Sequence, residues 1–166
     1  EGQRHHGQAD RDGDAESYAY DSAYRRTTLT QVVDATSTHV TTYQYDLLNR
    51  VTLETDPHGF TTQTVYTPES EVATTLRQID GLSSLAWNYT YDFNGNRLSA
   101  SDGVLRAFEY DSNDRLVRAY DPAPFAGNYV EFTYDNEGHT LSRRDQGGNT
   151  TFYGYTNRGL LGAEID

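Results

Sequence analysis

The sequence of 166 residues holds no cysteine, no methionine and no lysine. Without cysteine there is neither a disulfide framework nor a thiolate metal site, so stability has to come from backbone hydrogen bonds and side-chain burial. Without lysine, all 13 basic residues are arginine; 25 acidic residues outnumber them, for a formal charge of −12. That balance excludes nucleic acid and anionic membrane surfaces as partners, because both would repel it. It also keeps a strand-rich chain in solution. Long apolar runs are missing too. None approaches the roughly 18 to 20 residues that cross a bilayer as a helix, so no membrane span is expected. The first residues are polar rather than signal-like, which puts any export signal outside this chain. No segment has convincing helical periodicity, no Gly-x-Ser-x-Gly elbow or glycine-rich phosphate loop occurs, and neither an enzyme activity nor a cofactor is expected.

What is present is tyrosine, 14 copies against 6 Phe and 1 Trp, together with abundant threonine. These are strand formers. The tyrosines are phased. The phrase YQYDLLNRV (Tyr43 to Val51) returns as YTYDFNGNRL (Tyr89 to Leu98), FEYDSNDRL (Phe108 to Leu116) and FTYDNEGHTL (Phe132 to Leu141), with an early copy, YAYDSAYR, from Tyr18 to Arg25. Two worn copies lack the aspartate, one around Tyr66 and one from Tyr153 to Leu161. The anchors Tyr20, Tyr45, Tyr66, Tyr91, Tyr110, Tyr134 and Tyr155 are spaced by 25, 21, 25, 19, 24 and 21 residues, the signature of an arrayed architecture.

Within each copy, an aromatic-x-Tyr pair such as Tyr43/Tyr45 falls on one face of a strand, because side chains alternate with period two. The aspartate that follows (Asp21, Asp46, Asp92, Asp111, Asp135) opens a polar break, and Asp and Asn bond their own backbone in such turns. A second alternating run follows, for instance Arg50 to Thr55. It ends at a second turn signal such as Asp56-Pro57-His58-Gly59. The expected fold is all-β: tandem antiparallel hairpins forming a twisted, curved meander, with 1–16 as a polar acidic leader, flexible or capping, and 17–166 as an array of about seven repeats. Recurrence of Tyr-Asp argues for architecture, since an active site is one constellation and these residues are an array.

The phrases YQYDLLNRV, YTYDFNGNRL and FEYDSNDRL, joined by turns such as DPHG, resemble the YD repeats of the RHS family from about Tyr18 to Leu161. The resemblance implies a β-hairpin strip that spirals into a hollow shell in longer relatives: bacterial polymorphic toxins, the BC components of insecticidal toxin complexes and animal teneurins. It implies a non-catalytic segment of a secreted or cell-surface shell that encloses or presents a toxin or effector, or of a surface assembly. The partners would be neighbouring YD repeats of the same or another chain, and a toxin cargo. The alternative it implies is a carbohydrate-binding or adhesive module. No C-terminal RHS core with self-cleaving aspartates, no effector and no plug is seen. The chain therefore reads as a fragment, a short array or a subunit pairing through its sheet edges.

For a glycan, the aromatics to consider are Trp87, beside Tyr89, and Phe125 with Tyr129 on the long tip Asp121 to Asn128; core packing competes for Trp87, which shares its strand face with Tyr89. The spacing of Asp10, Asp12 and Asp14 suggests a calcium loop, but the glycine falls too early and Asp21 stands where the last ligand would be Glu. No metal site is expected.

Overall fold

A computed structural model describes residues 4–9, 15–34, 36–122 and 127–165. Every regular element among them is a strand. The chain divides into two compact units, Glu1–Ala86 and Trp87–Asp166.

The first unit contains β1 (Arg4–Ala9), β2 (Ala15–Tyr20), β3 (Arg26–Val32), β4 (Thr38–Tyr45), β5 (Val51–Thr55), β6 (Thr61–Tyr66) and β7 (Val72–Gln78). Each pairs antiparallel with the next in chain order. Part of the polar leader is thus a strand, with Arg4 opposite Tyr20 and Ala9 opposite Ala15. β8 (Ser84–Tyr91) begins just before the division and pairs over Asn88–Tyr91 with β9 (Arg97–Ser101). The second unit continues through β10 (Leu105–Tyr110), β11 (Leu116–Tyr120), β12 (Tyr129–Tyr134), β13 (Thr140–Arg144), β14 (Thr150–Tyr155) and β15 (Leu161–Ile165), again antiparallel in chain order. The hairpin meander expected from the period-two alternation is the fold.

Seven of these hairpins share one irregularity. The register slips immediately before Tyr20, Tyr45, Tyr66, Tyr91, Tyr110, Tyr134 and Tyr155. Ala19 pairs with Thr28 but Tyr20 with Arg26, and Gln44 with Leu53 but Tyr45 with Val51, so Thr27 and Thr52 are left over as the extra residues of β-bulges. A bulge re-aims the side chain it contains.

There is almost no closed core. Among the described residues Ala19, 6% exposed, is the one buried apolar residue. The chain exposes 11725 Å², against roughly 8,300 Å² for a globular protein of its mass. Large apolar residues such as Leu47, Leu82 and Phe93 are fully exposed in turns. What holds adjacent hairpins together must therefore be sought in their partly covered polar contacts.

Candidate functional site

Each repeated tyrosine ends an even-numbered strand from β2 to β14, and the next residue opens a five-residue turn. In the Asp46 turn, Asp46 N–H donates to the Arg50 carbonyl at 3.0 Å and Asn49 N–H donates to the Asp46 carbonyl at 3.2 Å. The Asp46 carboxylate takes the rest: Oδ1 accepts from the N–H groups of Leu48 (2.8 Å) and Arg50 (3.0 Å), and Oδ2 from Arg50 Nε (2.7 Å). The turns at Asp21 and Asp111 repeat these contacts with Arg25 and Arg115. Thr67 and Thr156 open backbone turns of the same form, with a hydroxyl in place of the carboxylate. This is a type I turn closed by a left-handed residue and a bulge, a form suited to three-residue hairpin loops. Tyr24 (φ 61°) and Ser70 (φ 83°) hold the left-handed position without being Gly or Asn.

These bonds favour ionised aspartate. Asp21 and Asp46 lie below the usual carboxylate range chiefly through the backbone N–H of Arg25 or Arg50, with partial burial opposing and the guanidinium assisting. At Asp111 burial is the largest influence and pushes upward, but the Arg115 N–H and guanidinium outweigh it.

The arginine then reaches out of its own hairpin. Arg25 Nη1 donates to the Asp46 carbonyl (3.0 Å) and to Asn49 Oδ1 (3.2 Å). Arg50 Nη1 donates to the Thr67 carbonyl (3.2 Å) and Ser70 Oγ (3.0 Å), and Arg115 Nη1 to the Asp135 carbonyl (2.8 Å). The same guanidinium lies over the next repeat's tyrosine: Arg25 is 5.0 Å from the Tyr45 ring centre, Arg50 4.5 Å from Tyr66, and Arg115 4.7 Å from Tyr134. That tyrosine answers, donating its hydroxyl to the carbonyl just past the arginine: Tyr45 to Arg26 (2.7 Å), Tyr66 to Val51 (2.9 Å), Tyr134 to Leu116 (2.7 Å). Partial burial raises the Tyr45 and Tyr134 phenols above their ordinary value. Asp, Arg and the following Tyr thus form a clamp from one hairpin to the next.

Three clamps are altered. Asn96 stands in the arginine position of the Asp92 turn and donates to Asp92 Oδ2 (3.0 Å) and, in the next turn, to Asp114 Oδ1 (2.7 Å). His139 stands there in the Asp135 turn, with Nδ1 2.9 Å from Asp135 Oδ2 and its ring stacked 4.6 Å from that of Tyr155. In the Thr67 turn the position is Glu71, bonded by the Thr67 hydroxyl.

Periodicity located the tyrosines and aspartates but assigned no role to the arginines. Their signal was available: Arg25, Arg50 and Arg115 all stand five residues after the anchor tyrosine. Across hairpins the tyrosine rings are interleaved with arginine cations.

The aromatics considered for a glycan are not gathered in one place by the described residues. Trp87 is half-buried on the β8 face it shares with Tyr89. Tyr129 lies 5.4 Å from the Tyr120 ring and is covered by Arg118 at 5.0 Å. Arg118 also pairs with Glu131 (2.7 Å) and Glu109 (3.2 Å), and the bond to Glu131 foremost raises its pKa. Phe125, Asp10, Asp12 and Asp14 lie outside the described residues. Ligand-type atoms of Asp135, Glu137 and His139 approach within 4.8 Å of one another, but Asp135 and His139 are engaged with each other in the turn, and no metal centre is assigned.

Comparison with known proteins agrees with this geometry. The teneurin YD-shell family model matches residues 60–165, and the RHS repeat model matches residues 28–61. Teneurin-4 from Homo sapiens and from Mus musculus are each 31% identical over 126 residues, 72% of this chain. The chain spans 4% of the length of these relatives. Among solved structures, TcdB2-TccC3 without its hypervariable C-terminal region superposes with a TM-score of 0.76 at 14% identity, covering 89% of this chain and 9% of the other. The Photorhabdus luminescens Tc holotoxin pore gives 0.65 at 16% identity, over 89% of this chain and 8% of the other. The recurrent Tyr-Asp turn, the antiparallel hairpins in chain order and the matched residues together make this chain a member of the RHS/YD-repeat family, whose repeats build shells.

Proposed function

We propose that this chain is a non-catalytic wall segment of a larger β-shell outside the cell, and that the shell encloses or presents a toxin or effector. The carrying observation is the clamp, in which Arg25, Arg50 and Arg115 each bond a turn about twenty residues further on. Such contacts fix each hairpin to its neighbour without needing a core, which suits a wall with a wet inner and outer face. The surface in excess of a globular protein of this mass supports the same reading, since a wall gains its cover from further repeats. Tyr20, Asp21, Tyr45, Asp46, Tyr66, Tyr91, Asp92, Tyr110, Asp111, Tyr134, Asp135 and Tyr155 serve here as architecture.

The test is to compare this chain with a version extended by flanking YD repeats of its parent. Light scattering and electron microscopy should show association or fraying of the short chain and a curved, better-ordered wall in the extended one. A stable monomer whose end strands exchange amide hydrogens as slowly as its central ones would overturn the proposal.

A further inference from the structure

In the series of clamps, His139 occupies the place of an arginine. Arginine is charged at every physiological pH, whereas imidazole takes up its second proton between about pH 5 and 8. The geometry around His139 responds to that proton. Nδ1 faces Asp135 Oδ2 at 2.9 Å, which in the neutral ring assigns the single N–H to Nδ1 and leaves Nε2 a bare lone pair. Nε2 is directed at the next turn, 2.9 Å from where a Cβ on Gly159 would stand. In that turn the Thr156 carbonyl accepts from Gly159 N–H at 2.8 Å. The equivalent carbonyls of Asp46, Thr67 and Asp135 accept from their own turn and, additionally, from the incoming arginine. The imidazole ring also lies stacked on Tyr155, as the guanidinium groups lie over Tyr45, Tyr66 and Tyr134.

We infer that His139 is a proton-controlled clamp: neutral, it holds only its own turn, and protonated, it grips the β14–β15 hairpin as arginine grips elsewhere. Protonation adds a donor at Nε2 toward the Thr156–Leu160 turn and places a cation on the face of Tyr155. The surrounding charges suit the switch. From its own turn His139 faces the carboxylates of Asp135 and Glu137. Arg115, from the turn before, is occupied with the Asp135 carbonyl and the Tyr134 ring. Arg158 is an exposed cation of the turn ahead. Asp135 stays ionised through the window, because the His139 bonds outweigh the burial that would raise it. Since only the protonated ring makes the full clamp, its contribution is present at the acid end of the window and is lost as pH rises. This inference rests on the clamp geometry and is independent of whether the wall encloses anything.

The test is amide hydrogen exchange by NMR on the 166-residue chain at pH 5.5 and pH 8.0, each rate divided by the intrinsic rate at that pH. Protection of β15 amides should be roughly two- to fivefold higher at pH 5.5, while β4 and β5 amides, behind the Arg25 and Arg50 clamps, should show no such step. H139R should give high protection at both pH values, and H139N low protection at both. Equal wild-type protection at the two pH values overturns the inference, as does an undiminished step in H139R. If the variants fold poorly, the wild type still decides through its ring nitrogens: Nε2 of His139 must protonate over the same pH interval as the β15 step, and a step without that titration also overturns it.

Discussion

The turns that follow Tyr and those that close the opposite ends of the same hairpins use similar chemistry with different discipline. Asp56 and Asp145 open turns with the same backbone bonds as Asp46, and their carboxylates cap the same N–H groups. Yet Asp34 and Asp80 open tighter turns, and Asp121 N–H closes on the carbonyl of Asn128, further along the chain. The tyrosine turns keep one form seven times, at Asp21, Asp46, Thr67, Asp92, Asp111, Asp135 and Thr156. The difference is what lies beyond the turn. A tyrosine turn sets its fifth residue, Arg25, Arg50 or Arg115, against the next hairpin, whereas among the described residues of the opposite turns such a contact is the single bond from Gln146 to Asp121. Uniformity is maintained where a contact between repeats depends on it.

The comparison can be broken hardest at the rings. Tyr45→Ala removes the surface beneath Arg25 and the hydroxyl bonded to the Arg26 carbonyl, so urea denaturation should lose about 2–3 kcal/mol. His58→Ala, in an opposite turn, should change stability by less than about 0.5 kcal/mol. Arg50→Ala should cost about 1–2 kcal/mol, and Arg50→Lys should recover less than half of it, because an ammonium lacks the fork that serves Asp46 and the Thr67 turn together. Equal stability of the lysine variant and the wild type would demote the clamp to a surface ion pair.

Asp46→Asn keeps the shape and removes the charge, and should lower Tm by about 2–4 °C. The same carboxylates govern acid behaviour. Asp21 and Asp46 are depressed in the folded protein, so their contribution is present above the ordinary carboxylate range near pH 4 and is lost as pH falls through their lower folded values. An acid titration followed by circular dichroism should therefore show loss of structure below about pH 4. Asp46→Asn should weaken that dependence. The smallest effect should come from two glycines inserted after Gly81, costing about 0.4 kcal/mol by loop-closure entropy. The same insertion after Leu48 should cost several times more, because it displaces Asn49 and Arg50 from their neighbours.

The repeat, its hairpins and its turns were legible because Asp, Asn and Gly carry local information: the Asp46 cap spans four residues. The arginine clamp was not, because Arg25 meets Asn49 across 24 residues, a contact between two hairpins that no local pattern carries. Nor does any local rule mark Tyr24 or Ser70 for a left-handed backbone, since neither residue favours it. There the turn bonds and the clamp override the residue's own preference.

By itself, then, the sequence determined the strand alternation, the tyrosine spacing and the aspartate caps, each a consequence of contacts within one hairpin. Only the tertiary structure decided which cation meets which ring, since that depends on register between hairpins. It likewise decided that His139, five residues past its tyrosine like the arginines, meets the next turn at Gly159.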